Sequence, residues 1–334
     1  MMRYVDGVAI SRISCALPKQ KLSLVEYAPN LFDEKSAKRM AKGTGFSMLR
    51  IAPDEMTTAD LCVAAAEQVL DGIDRSTVGS LVFVTQTPDY TVPATSHVLQ
   101  AQLHLRNDVL CLDINEGCSG WVTGLYTAAV LCKNTSAPVC LLAGDTPSKT
   151  TATEDRATRS IFGDAGTATL IVPGEIRLPF LFKSYGDRPE AIQLANYYQY
   201  RQANSKTGGG SLFVSLDGGA IMDFSLEEVP AAIEEFLEAE AFTKADVSIY
   251  ACHQANQLIL NHMADKIGVP REKVPFTSGE IGNESSASIP LVLQAEAGKV
   301  DLSYVLCCGF GVGLSIGICL ADFTKTEFLG VEEI

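Results

Sequence analysis

Cys118 stands where the apolar run Leu110-Cys111-Leu112-Asp113-Ile114 breaks into the small-residue turn Asn115-Glu116-Gly117-Cys118-Ser119-Gly120. From Val122 to Leu131 the residues are apolar nearly all round, which predicts a buried helix beginning at about Ser119. A thiol at such a helix start faces unpaired backbone N–H groups and the positive end of the dipole, and both favour thiolate over thiol. Gly117 and Gly120 leave room for a substrate to approach. Two further side chains offer polar chemistry. His253 follows the strand-like run 247–251, and Asn283 lies in the turn Ile281-Gly282-Asn283-Glu284-Ser285-Ser286. Taken singly, each has a plain structural reading: a packed core thiol, a capped strand end, an Asn beside Gly in a turn.

The elements around them decide between these readings. Residues 5–16 alternate like a strand and 30–43 form a polar helix. Thr57 and Thr58 can cap a helix over 59–73 before the buried strand 81–85. A helix over 93–104, a strand at 109–114, the helix 119–132 and the strand 138–143 follow, and the segment from Phe162 turns into a strand ending near Pro173. The stretch 174–224 differs, with short strand-like pieces and a polar, Tyr-rich section (Asn196, Tyr197, Tyr198, Tyr200) leading into Gly208-Gly209-Gly210, as in a flap at about 185–215. Ser225 and Glu228 form a capping-box pattern before an acidic helix 226–241 that contains Pro230. The alternation then repeats: strand 247–251, a helix from about Ala255 to Ile267 stopped by Gly268-Val269-Pro270, a helix over about 287–298, and the uncharged run 304–321. That run is long enough to resemble a membrane span, but Gly309, Gly311, Gly313 and Gly317 break it into two buried strands joined by a glycine turn. The shared order of elements predicts two α/β halves of about 170 residues each, 1–173 and 174–334. In this layout Cys118 and Asn283 occupy corresponding turns, His253 follows the strand equivalent to 81–85, and all three can point into the interface between the halves.

Composition narrows the function classes. The chain has 334 residues, 47% of them hydrophobic and 20% charged, enough for one large core or two fused ones. Its net charge of −14 argues against binding nucleic acid or an anionic membrane through the whole surface. Locally, Lys35, Lys38, Arg39 and Lys42 recur at helical spacing, as a solvated basic face or as a dock for an anionic carrier or nucleotide phosphate. The ten cysteines fall mostly inside apolar runs and the start of the chain has no signal-like segment, which favours a reducing cytoplasm without disulfides. With four histidines and no HExxH or paired CxxC, no metal is expected.

Five short motifs then carry a resemblance. GCSGW at 117–121, FGDAGTA at 162–168, CHQAN at 252–256, GNESSASIP at 282–290 and GFGVGLSIG at 309–317 resemble those of β-ketoacyl-ACP synthase III, a condensing enzyme of the thiolase superfamily. TGF…R at 44–50 and TPDYTVPAT at 87–95 keep the same order and spacing. The resemblance implies the duplicated five-layered αβαβα thiolase fold, usually a homodimer. It implies that Cys118 takes an acyl group from a thioester, and that His253 and Asn283 donate hydrogen bonds to the thioester oxygen of the second substrate. Backbone N–H groups of Cys118 and of the Gly311-Val312-Gly313 turn would receive the oxyanion of the tetrahedral intermediate. No cofactor is implied beyond the substrates, acyl-coenzyme A or acyl carrier protein.

The departures concern the substrate. Val312 stands where the family usually has Gly, and its Cβ narrows the space beside the N–H. The Trp and Arg that bracket adenine in members using coenzyme A are absent around Arg39 and Gly43, and the pantetheine-binding Asn is replaced near Gly219. Arg156 is retained, and Phe162 opens its motif at the substrate channel. The donor is then either coenzyme A bound differently or a carrier protein docked on the Lys35 to Lys42 face. Val92, before Pro93, resembles the residue that closes the partner's acyl pocket across the dimer. Glu116 is either a second acid/base or a charge outside the tunnel. Three functions follow: condensation with a malonyl-type thioester, acyl transfer to an oxygen or nitrogen acceptor, or a non-catalytic acyl-binding scaffold.

Overall fold

Short apolar runs without polar alternation form strands covered on both faces. The computed structural model shows this most clearly for β2 (Ser80–Val84) and β4 (Val139–Asp145), which are buried at every position. The structure describes residues 1–194 and 213–334; the Tyr-rich section and the glycine run of the expected flap lie outside the described residues. Among the described residues nine strands form one hydrogen-bonded sheet: β1 (Met2–Leu17), β2, β3 (Leu110–Ile114), β4, β5 (Ala165–Ser184), β6 (Ile249–Cys252), β7 (Val305–Gly311), β8 (Ser315–Ala321) and β9 (Glu327–Glu333). The main path runs β6-β7-β8-β5-β4-β2-β3, with β1 paired to both β5 and β9.

The duplication shows in β5. Its first arm pairs with β4 and its second with β8, and the register with β1 shifts between them, where Val8 faces both Pro173 and Ile176. Three helical layers fill the spaces around the two arms of the sheet. Helices α4 (Gly120–Thr135) and α7 (Ser288–Glu296) share one core, in which Trp121, Leu125, Val292 and Leu293 are buried against strands of both halves. α2 (Thr58–Val69) and α3 (Thr95–Gln102) cover one outer face, and α5 (Gly218–Ala239) and α6 (Gln257–Ile267) the other. The result is the five-layered αβαβα thiolase fold. Trp121 pins the middle layer, donating from Nε1 to Thr169 Oγ1 of β5 at 3.2 Å in the interior.

Helix starts follow the side chains that satisfy the first N–H groups. Thr57 caps α2 in a capping box with Asp60, and Asn256 caps α6, which ends at Gly268 in the left-handed conformation. α3 has no side-chain cap of its own, and Asp113 at the end of β3 takes over, accepting from Thr95 N and Ser96 N at 2.7 and 2.9 Å. α1 (Glu34–Thr44) is the expected polar helix, with Lys35, Lys38, Arg39 and Lys42 exposed. The run 304–321 is the antiparallel pair β7–β8, and no helix among the described residues is long and apolar enough to cross a membrane.

Two readings of the sequence are corrected. The Ser225–Glu228 pattern does not start a helix: α5 begins at Gly218 under Asp217, which accepts from Gly219 N and Ala220 N, and Ser225 Oγ bonds back to Ile221 O inside it. Pro230 is tolerated because the helix is long and buried around it, with Val229 and Ile233 in the core. β9 has no counterpart in the expected elements; its parallel pairing with β1 is set by a strand more than three hundred residues away, not by a local pattern. Asp217→Ala is expected to lower stability by about 1 kcal/mol in urea unfolding. An unchanged midpoint for Asp217→Ala, with a loss for Ser225→Ala, would contradict this helix start.

Candidate active site

The candidate residues lie just past the carboxyl ends of parallel strands, where open α/β sheets place their clefts. Cys118 follows β3, His253 follows β6, and Val312 follows β7. Asn283 comes from the turn before α7, which is tied to the Phe162 motif: Asn283 N donates to Ile161 O at 2.7 Å, and Gly163 N to Asn283 O at 3.2 Å. Gly163 makes that approach possible, since a Cβ there would stand 1.9 Å from Ile281 O. Cys118, His253, Asn283, Phe162, Gly311 and Val312 line one cavity of about 1380 Å³. Gly311 sits at φ +153°, and a Cβ on it would come within 2.7 Å of Cys118 Sγ. A side chain at 311 would therefore displace the sulfur.

Each polar group in the cavity floor is oriented from behind. Asn283 Oδ1 accepts from Ser285 N at 3.0 Å, which leaves its amide N–H groups free to donate. His253 Nδ1 lies 3.1 Å from Ser288 Oγ, so Nε2 is the ring nitrogen free to serve the cavity, and Phe310 packs edge-on against the ring at 5.6 Å. Val312 N–H and Cys118 N–H both stabilise charge on the sulfur.

The electrostatics correct the expectation of a resting thiolate. Burial pushes the Cys118 thiol up to about 11, and the buried Asp145 carboxylate adds to the rise. The N–H groups of Val312 and Cys118 and the Ser285 hydroxyl pull it back only in part. α4 begins two residues beyond the sulfur, and its terminus does not offset desolvation. Burial likewise lowers His253 to about 4, although the Ser285 carbonyl favours the charged ring. At neutral pH the pair is a thiol and a neutral imidazole.

Other expected residues lie outside the cavity lining. Arg156 does not line the cavity; its Nη1 donates to Leu31 O at 2.9 Å and its guanidinium lies 4.4 Å from the centre of the Phe32 ring. Gly219 is likewise outside the lining, its N–H taken by Asp217, while its neighbour Gly218 lines the mouth. Val92 is 84% exposed and does not line this cavity. Glu116 does not line the cavity, in keeping with a charge outside the tunnel: it accepts from Ser119 Oγ at 2.8 Å, and Ser119 Oγ lies 2.7 Å from Ser315 Oγ, which bonds Val312 O. That network fixes the Cys118 turn against the Val312 turn. The described ends of the flap, Ile192, Leu194, Val214 and Leu216, line the mouth with Met40 of α1.

Sequence reasoning singled out neither Asp145 nor Glu284. Asp145 ends an apolar strand and accepts from Gln86 N, Thr85 Oγ1 and Ser286 Oγ at 2.7, 3.0 and 2.7 Å. Glu284 is fully buried beside Ser288. A carboxylate closing an uncharged strand, and another amid small residues before an apolar helix, were the available signals.

The chain is similar to known proteins along almost its whole length. Residues 112–186 match the 3-oxoacyl-(acyl-carrier-protein) synthase III family, and residues 237–323 match its C-terminal region. A β-ketoacyl-(acyl-carrier-protein) synthase III of Streptococcus sanguinis is 31% identical, the match covering 92% of this chain and 97% of that one. The crystal structure of a 3-oxoacyl-(acyl-carrier protein) synthase from Burkholderia xenovorans superposes with a TM-score of 0.94 at 31% identity, over 100% of this chain and 99% of that chain. That of the Pseudomonas aeruginosa synthase III gives 0.83 at 25%, over 95% and 98%. A thiol, an imidazole and a carboxamide gathered from distant turns into one cavity of this fold, in a chain that aligns end to end with such synthases, belong to a member of the 3-oxoacyl-(acyl-carrier-protein) synthase III family.

Proposed function

We propose that this chain is a condensing acyltransferase: Cys118 accepts an acyl group from a thioester and passes it to the carbon nucleophile formed by decarboxylation of a malonyl-type thioester. The observation that carries the proposal is the convergence of Cys118, His253, Asn283 and the Val312 N–H on one cavity. Decarboxylation beside a thioester generates an enolate, and two neutral donors held away from water stabilise it without a desolvated counter-charge. Asn283 is oriented for that role by Ser285, and a neutral His253 with its proton on Nε2 fills the second. The Cys118 and Val312 N–H groups serve the oxyanion formed at the acyl carbon. Transfer to an oxygen or nitrogen acceptor is not favoured, since the relatives are named as 3-oxoacyl synthases.

The exposed basic face of α1 flanks Met40 at the cavity mouth, which supports delivery by an acidic acyl carrier protein. Arg156 and Gly219 do not line the cavity, so a coenzyme A donor would be held by other residues of the mouth. Homodimer formation is supported by β3, which closes one end of the sheet path and exposes Leu110 and Leu112, and by Val92, which is exposed and absent from the cavity lining. Ten unpaired cysteines fit a reducing compartment such as the cytoplasm.

Intact-mass spectrometry after incubation with acyl thioesters is expected to show an adduct on the native chain and none on Cys118→Ala. Asn283→Ala should form the adduct at the native rate and His253→Ala should still reach it more slowly, while carbon dioxide release from a malonyl thioester falls roughly a hundredfold in both; normal release would overturn their roles. Because the resting sulfur is a thiol, iodoacetamide alkylation of Cys118 should climb with pH up to at least 9, whereas a plateau below pH 7 would show a preformed thiolate.

A further inference from the structure

A buried chain of three groups leads away from the cavity. His253 Nδ1 lies 3.1 Å from Ser288 Oγ, and Ser288 Oγ lies 3.1 Å from Glu284 Oε2. All three side chains are buried, and neither Ser288 nor Glu284 lines the cavity. Ser288 has one hydroxyl proton to share between a ring nitrogen and a carboxyl oxygen. Its direction therefore depends on whether Glu284 carries a proton. With Glu284 ionised, Ser288 donates to the carboxylate and accepts from Nδ1–H, so Nε2 bears a lone pair. With Glu284 protonated, the carboxyl donates to Ser288, Ser288 donates to Nδ1, and Nε2 bears the proton.

The proposed reaction asks for both forms, which is why this inference rests on that reading. Acylation needs a base for the Cys118 proton, and the condensation needs an N–H donor for the enolate. We infer that Glu284, acting through Ser288, is a positioning residue that stores the Cys118 proton during turnover and so sets the tautomer of His253. The steps balance. The Cys118 proton passes to Nε2, Nδ1–H to Ser288 Oγ, and the Ser288 proton to Glu284, leaving a thiolate, a neutral Nε2–H imidazole and a carboxylic acid. The thiolate displaces the donor's sulfur, which takes its proton from solvent. Decarboxylation of the second thioester then forms the enolate against Nε2–H. Its attack on the acyl carbon expels the Cys118 thiolate, which recovers the stored proton by the reverse path. No buried imidazolium forms at any stage.

The surroundings suit the role. Burial lifts the Glu284 carboxyl to about 7, opposed by the Ser278 and Ser288 hydroxyls, so both of its states are accessible near neutrality. Cys15 of β1 also faces this carboxyl, and its thiol is held neutral by burial and by the charge on Glu284. The Ser285 carbonyl beside the His253 ring favours a ring N–H and is the feature that would hold one tautomer if Glu284 were only structural.

The test separates the half-reactions on the full chain, using acetyl- and octanoyl-coenzyme A as donors and rapid-quench intact mass as readout. For the native chain the acylation rate should fall as pH drops through about 7, because only the ionised carboxylate accepts the proton. Glu284→Gln should abolish that limb and slow acylation at pH 8 by roughly tenfold or more, the low end of what a general base supplies. Condensation from the preformed acyl-enzyme should change less than about threefold, since the Gln amide donates to Ser288 and keeps Nε2–H. Ser288→Ala, which leaves the carboxyl and cuts the path, should slow acylation in the same way and decides the matter if Glu284→Gln fails to fold. Acylation at the native rate with the pH limb intact, or an equal loss in both half-reactions, overturns the relay while leaving the acyl-enzyme reading in place. No adduct on the native chain with either donor, nor with the same acyl groups presented on an acyl carrier protein, overturns both.

Discussion

The carboxylate of Asp145 is the interaction on which the site's geometry depends. It is buried at the end of β4, and hydrogen bonds reach it from Thr85 and Gln86 beyond β2 and from both the backbone and hydroxyl of Ser286 in the turn that carries Asn283. One buried carboxyl group thus ties segments of the two halves together beneath the cavity. An unpaired buried charge costs several kcal/mol, and its removal from a satisfied network strands the partners. The cavity floor has little freedom to drift while that network is intact.

The same carboxyl shapes the chemistry. It lies close enough to raise the Cys118 thiol further, in a setting where burial already disfavours ions. The floor therefore combines a hydrogen-bonded carboxyl, itself raised by burial and pulled back by the Gln86 N–H and the Ser286 hydroxyl, with a thiol and an imidazole that are both neutral at rest. Such a site is suited to reactions in which charge develops on the substrate rather than on the protein. It meets an oxyanion and an enolate with oriented N–H groups, which need no reorganisation when the charge appears. A lone thiolate would be more reactive but would have to be stabilised against Asp145 and the apolar core throughout the resting state.

Much of this was legible in the sequence because the signals are local. GCSGW marked a strand-to-helix turn, CHQAN a strand end and GNESSASIP a turn into a buried helix, and the structure puts all three at the cavity. The glycine turn of β7–β8 and the Thr57 cap were equally readable. What escaped depends on partners remote in the chain. The thiol's high pKa comes from the density of protein around it, the pairing of β9 from a strand at the other end, and the start of α5 from Asp217 rather than the more familiar pattern at Ser225. Glu284 looked like one polar residue among small ones, and only its burial behind Ser288 and His253 shows what it faces. Arg156, carried over by motif, turned out to stack on Phe32 outside the cavity, because a shared motif fixes backbone position more firmly than side-chain partner.

Cys118 and His253 both rest uncharged in this site. Nitrogen-15 NMR of the histidine rings in the native chain, with the His253 signals assigned by His253→Gln, measures this directly. A neutral imidazole is predicted across pH 5.5 to 8, with protonation only near 4. An imidazolium spectrum at pH 7 that disappears in Cys118→Ala would instead reveal an ion pair, and would contradict it.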